Sequence, residues 1–365
     1  MTATEEDIRA LTDCCRALQN EIVTLKDCCE TLRSEIFALK ECFQATKDRS
    51  HPLKDRCEIL QNENKQLESK WMQFGSIVAG GHGYGNDLNQ LWDAHGLSVD
   101  DDHRTIYIAD SNNHRILAWN YGASKGQVVA GGNGKGDRND QLNFPRNVIV
   151  DSKTDCVIIC DWGNRRVVRW PRKDGVSGEI IISNIECFGG LTMDDNGSLY
   201  VSDFQNNEVK RWRKGEVHGT IVAGGNGGGN NLNQLNGPTY LFVDRNHSIY
   251  ISDKDNHRVM MWKEGAQEGS IVAGGRSKGN DLTHLTYPYG LVVDPSGALY
   301  IADSWNNRIM CWLKGAREGS IVIGGNGEGG QSNQFNYPIG LSFDRQGHLY
   351  ITDSYNQRVV KFQLK

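Results

Sequence analysis

Six aspartates, Asp110, Asp161, Asp203, Asp253, Asp303 and Asp353, each close an alternating apolar run, and each is followed three residues later by an asparagine. In five copies an arginine stands two places further on, as Arg115, Arg166, Arg258, Arg308 and Arg358; the third copy has Glu208 there. Carboxylate, amide and guanidinium at fixed spacing could hold an ion. A catalytic group is needed once, however, whereas a turn is needed in every unit, so sixfold recurrence predicts that the Asp and Asn side chains bond backbone in turns. The runs GGNGKG and GGNGGG resemble phosphate loops but open no helix, so no helix dipole awaits an anion.

Chemistry is sought instead where the units differ. Just ahead of the first strand of each unit stand His95, Arg146, Gly189, Thr239, Tyr289 and Ile339: one imidazole, one cation, one phenol and no carboxylate. Calcium takes about six to eight oxygen ligands and catalytic zinc about three protein ligands. This set therefore predicts no catalytic residue, no metal and no cofactor. The turns after the second strands carry Trp162, Phe204, Trp305 and Tyr355. Large aromatics on turn tips are typical anchors of interaction surfaces, which makes these four, with His95, Arg146 and Tyr289, the expected partner-binding face.

The elements that position these groups follow from the spacing. Intervals between the aspartates are 51, 42, 50, 50 and 50, and each unit reads as four short β-runs separated by turn signals, as in GLVVD, ALYIAD, RIMCW and SIVIGG. Six such units predict an all-β six-bladed propeller over 76–365, in which each sheet buries its faces on its neighbours. The array opens on a fourth strand, 76–81, and ends on a third, so the opening strand is expected to complete the last blade and remove the exposed edges.

All 42 glycines lie after residue 74. The glycine-free segment places Ile8, Leu11, Cys15, Leu18, Ile22, Leu25, Cys29, Leu32, Ile36 and Leu39 at alternating spacings of three and four, and the frame resumes beyond Pro52 at Leu60, Asn64, Leu67 and Trp71. Such a seam predicts a coiled coil over 1–71, kinked near 50–52, with a linker at 72–75; Ile at a, Leu at d and Glu-to-Lys g/e pairs favour a parallel homodimer. The ten cysteines are expected as reduced thiols, since the opening MTATEEDIRA lacks the pattern of a secretory leader. No apolar run reaches the roughly 18–20 residues of a membrane helix, and the net charge of −5 argues against a polycation. A cytoplasmic chain is expected.

The motifs DSNNHR (110–115), DKDNHR (253–258) and DSWNNR (303–308), each after a strand such as LYIAD, resemble the NHL family over about 290 residues. The resemblance implies a six-bladed propeller that binds protein or RNA, and a coiled coil before it resembles the tripartite-motif NHL proteins. Their RING and B-box knuckles have no counterpart here, so ubiquitin-ligase activity is not expected. The combined expectation is a non-enzymatic, homo-oligomeric scaffold with a protein or peptide ligand on the propeller face; an RNA-binding propeller and an amidating-lyase-like propeller enzyme are the alternatives.

Overall fold

The computed structural model describes residues 70–365 apart from Arg276, together with helical residues scattered between Arg16 and Lys40. The chain divides between residues 62 and 63 into two units. In the first, Leu18, Ile22, Leu25, Leu32 and Ile36 are helical and about half exposed, while Ile8, Leu11, Cys15, Cys29, Leu39, Leu60, Asn64 and Leu67 lie outside the described residues. Among the described residues this unit displays an exposed apolar stripe on helical turns, and neither a coiled coil nor a homodimer is shown. No helix among the described residues is long and apolar enough to cross a membrane.

The second unit is a ring of six four-stranded antiparallel sheets. Five are continuous in sequence; the sixth combines Pro338–Phe343, Leu349–Asp353 and Arg358–Phe362 with Ser76–Gly80, which pairs Ser76 with Lys361 and Gly80 with Arg358. Alternation of Val, Ile, Leu and Tyr with small residues puts apolar side chains on both sheet faces, and the core accordingly lies between blades, as where Tyr107, Ile116 and Leu142 pack on Val148, Val157 and Trp170. Trp71, read from the sequence as the last position of the heptad seam, belongs to this core. It is buried, bridges Leu364 and stacks on Phe343 at 6.1 Å. The indole packs between the fifth and sixth blades, against Tyr300 and Phe343.

The recurrent Asp, Asn and Arg tie each blade together. Asp253 Oδ1 accepts the Asn236 amide at 2.6 Å, while its Oδ2 accepts from Asn256 Nδ2 at 2.8 Å and Arg258 Nε at 2.6 Å. The rest of the Arg258 guanidinium donates to the carbonyls of Asn230, Asn231 and Gln234 in the long loop before the blade. The other four Arg-bearing blades repeat the arrangement. The repeated motif is thus a strap, with the Asp bonding the loop ahead of the first strand as well as its own turn.

The third blade departs from this plan. Its first strand is only Leu191–Met193, its loop Asn184–Gly190 is short, and Glu208 pairs with Lys210. In place of a strap, a disulfide joins Cys160 of the second blade to Cys187. This corrects the expectation of reduced thiols for these two, which sit on facing buried segments; Cys156 and Cys311 are free and buried.

Candidate functional site

Each first strand enters the ring at the same face as the turns that follow the second strands. In five blades that turn is a single 3-10 turn ending on a residue in the left-handed region, at His114, Arg165, His257, Asn307 and Gln357. Four of these reach the next blade: His114 Nδ1 accepts the Phe144 amide, His257 Nδ1 the Tyr287 amide, Asn307 Oδ1 the Tyr337 amide and Gln357 Oε1 the Asp93 amide, at 2.8–3.2 Å. The receiving residues are themselves at positive φ: Asp93 (54°), Phe144 (49°), Tyr287 (49°) and Tyr337 (60°). Side chains other than Gly pay for that conformation in strain, and such strain concentrates at ligand sites. Three aromatics and one aspartate are thereby aimed over the mouth of the central channel.

At the axis of this face, Asp93, His95 and Arg146 meet. Arg146 Nη1 lies 3.2 Å from Asp93 Oδ2 and donates to His95 Nε2, and His95 Nε2 is 3.4 Å from Asp93 Oδ2. Ser354 Oγ donates to the second Asp93 oxygen at 3.0 Å. His95 is buried; burial and the Arg146 charge hold its pKa down to about 4, against the opposing pull of Asp93. Although burial opposes it, the contacts with His95, Arg146 and Ser354 hold the Asp93 carboxyl far below the usual range. At neutral pH the site is one carboxylate, one guanidinium and a neutral imidazole whose proton sits on Nδ1 while Nε2 accepts from Arg146.

The guanidinium lies 4.8 Å from the Trp162 ring and 5.0 Å from Phe188, a cation-π sandwich. Its Nε is buried without a partner. From Phe188 an aromatic collar runs around the mouth through Phe204 (5.2 Å), Tyr289 (6.4 Å) and Tyr337, which stacks on Tyr355 (4.9 Å) and meets Trp305 edge-on. Tyr240 lies beneath, its hydroxyl donating to the Arg146 carbonyl at 3.2 Å. Such an arrangement can bind an anionic or carbonyl oxygen beside an apolar body and can move one proton. Among the described residues no three His, Cys, Asp or Glu side chains converge as metal ligands.

The sequence-predicted residues are placed together on this face. His95, Arg146 and Tyr289 are buried or partly buried at the axis, Trp162 and Phe204 pack around Phe188, and Trp305 and Tyr355 remain more than half exposed. Asp93 and Phe188 escaped the sequence reading. Aligning LWDAHGL, LNFPRNV, LNGPTYL, LTYPYGL and FNYPIGL shows Asp93 where three other units carry Phe144, Tyr287 and Tyr337, and places Phe188 where four units carry proline and the first Ala94.

Residues 91–119, 285–312 and 335–362 match the NHL repeat. The chain carries NHL repeats. No curated protein matches it significantly. Among solved structures, the NHL-repeat ring resembles a protein of unknown function from Bacteroides thetaiotaomicron (18% identity, TM-score 0.63, covering 81% of this chain and 77% of that one). It also resembles a gluconolactonase from Xanthomonas campestris (16%, 0.55, 76% and 88%) and virginiamycin B lyase from Staphylococcus aureus (13%, 0.51, 81% and 100%). At these identities the likeness is one of fold.

Two expectations are corrected here. The expected non-enzymatic scaffold rests on the heptad seam and the aromatic turn tips, with no carboxylate at the axis; Asp93 does stand there, and rings of the same fold include a gluconolactonase and virginiamycin B lyase, so neither the scaffold reading nor the exclusion of an enzyme holds. The tripartite-motif relationship is likewise not shown, since the matched residues lie only in the repeats.

Proposed function

We propose that the propeller binds a small molecule at the Asp93, His95 and Arg146 cluster and performs a general-base step on it, as a lyase-type or lactone-opening enzyme would. The observation that carries this reading is a buried imidazole held neutral at the axis, between a carboxylate and an aromatic-sandwiched guanidinium. A substrate oxygen carrying negative charge draws the Arg146 donors to itself. That frees His95 Nε2 to take a proton, either from a water adding to the lactone carbonyl or from the carbon next to it in an elimination. The ester C–O bond then breaks, and the imidazolium, stabilised by Asp93 at 3.4 Å, returns the proton to the leaving oxygen. The collar holds the apolar body of the substrate.

Gluconolactone and virginiamycin B are suitable first substrates in a panel of small lactones and cyclic esters. His95→Gln is expected to lower turnover by about 100-fold or more while leaving calorimetric binding in place; Arg146→Met is expected to abolish binding. Turnover needs neutral His95, so kcat/KM should fall as pH drops through about 4. Unchanged turnover in His95→Gln, or full binding in Arg146→Met, would sink this reading.

A further inference from the structure

The opposite end of the same channel is built differently. Below Tyr240 and Asn147 an axial cavity of about 740 Å³ opens toward the turns between first and second strands, within the roughly 300–1,000 Å³ of small-molecule sites. Each blade contributes an aliphatic wall: Leu97, Ile149, Leu191, Leu241, Leu291 and Leu341. Trp71, Phe242 and Phe343 extend the apolar lining, and Ser98, Thr192 and Ser342 add hydroxyls to it. A ligand's polar groups would find few partners along the aliphatic part of this wall, which favours an apolar tail there.

The rim sets the sign of the ligand's head. Asp344 is engaged by Lys361 Nζ at 3.2 Å and by the Tyr350 hydroxyl at 3.3 Å, and Asp294 by Lys70 at 3.6 Å and by the amides of Ser296 and Ala298. Arg345 is held by Asp102 in a bidentate pair. Arg245 alone of the charged rim residues has no ion-pair or hydrogen-bond partner among the described residues, and it is exposed at the lip. A cation poised above an aliphatic well matches a molecule with an anionic head and an unbranched apolar tail.

We infer that this cavity is a binding site for a long-chain carboxylate, its tail along the aliphatic wall and its head at Arg245. The site is separate from the Asp93, His95 and Arg146 cluster and stands whether or not that cluster is catalytic. Titration of the full chain with dansyl-aminoundecanoate tests it. One saturable site per chain is expected, with dodecanoate displacing the probe and dodecyltrimethylammonium failing to do so. Ser342→Trp, which fills the lumen from a polar wall position, should weaken the probe by about tenfold or more, and Arg245→Glu should weaken dodecanoate by about tenfold while leaving 1-dodecanol unchanged. Arg245 is exposed, so its variant folds as the parent does and keeps the test decisive.

Absence of saturable binding overturns the inference, as does equal displacement by the cationic amphiphile. Binding that survives Ser342→Trp but is lost in Arg146→Met would place the probe at the other face and overturn it equally. Loss of lactone turnover in His95→Gln with probe binding retained leaves it standing, which separates its fate from that of the proposed activity.

Discussion

Five blades and the third are built from the same four-stranded unit, yet they hold the loop ahead of the first strand by different means. In the five, an Asp and an Arg bind a long overhanging loop through buried charge-assisted hydrogen bonds. In the third, the loop is short, Asp203 keeps only its Asn206 contacts at 3.2 and 2.8 Å, and the anchor is the Cys160–Cys187 disulfide. The consequence is spatial. Four of the strapped loops deliver a proline into their first strand and the first delivers Ala94, whereas the short one delivers Phe188 to the axis, within 6.3 Å of His95 and against Arg146. Repeated side chains are committed to architecture, and the unit that lacks them supplies the wall of the site.

The strongest way to break this comparison is to remove equivalent carboxylates. Asp253→Ala leaves the Arg258 guanidinium buried without its counter-charge and should cost about 3–5 kcal/mol. Asp203→Ala removes only a local turn contact and should cost about 1 kcal/mol. Urea unfolding of the full chain measures both, and equal losses would mean that the third blade depends on its Asp as the others do. If the disulfide substitutes for the strap, Cys187→Ser should cost about 2–4 kcal/mol. The parent protein in reducing buffer should then unfold like the variant; identical melts with and without reductant in the parent would remove the disulfide from that role.

A smaller effect concerns the axis. His95 titrates in the folded state at about 4, below the model-peptide value of 6.5, so the unfolded chain binds this proton first and stability falls as pH drops. Between pH 7 and 5 the loss is about 2 kcal/mol. Asp93 is shifted downward as well, but its contribution is present above the ordinary carboxylate range and is lost only at lower pH, outside that window. His95→Gln should flatten the pH 5–7 slope of the denaturation midpoint; an unaltered slope would show that another group carries the proton.

The repeat was legible because the strap recurs in every unit that needs it, and the phase of that repeat was enough to bring His95, Arg146 and Tyr289 to one face. Asp93 was not legible in the same way. It lies two residues outside the ring read from the sequence, at a place where other units carry Phe or Tyr, and its role depends on a positive φ that composition does not display. Phe188 was hidden because the 42-residue unit breaks the phase at the point where a side chain fills the axis. Trp71 was misassigned because heptad spacing cannot distinguish a seam residue from one that bridges a strand end. The aliphatic channel is invisible in any single repeat, since each blade contributes one or two side chains to it.

The smallest expected effect is the most searching test of what the arginine does. Glu208→Arg gives the third blade the residue its siblings carry, opposite an Asp203 already in register with it. If the Asp–Arg pair were the source of stability, the substitution should strengthen the blade by several kcal/mol. In the other blades, however, each guanidinium also donates to three loop carbonyls, as Arg308 does to Asn280, Asp281 and His284 at 2.6–3.2 Å. The third blade has no such loop to accept them, and the substitution also gives up the 2.6 Å contact of Glu208 with Lys210. Desolvating an unsatisfied guanidinium offsets its attraction to Asp203, so the denaturation midpoint should move by less than about 1 kcal/mol equivalent. A gain well above that would assign the strap's strength to the ion pair alone and erase the distinction between the blades.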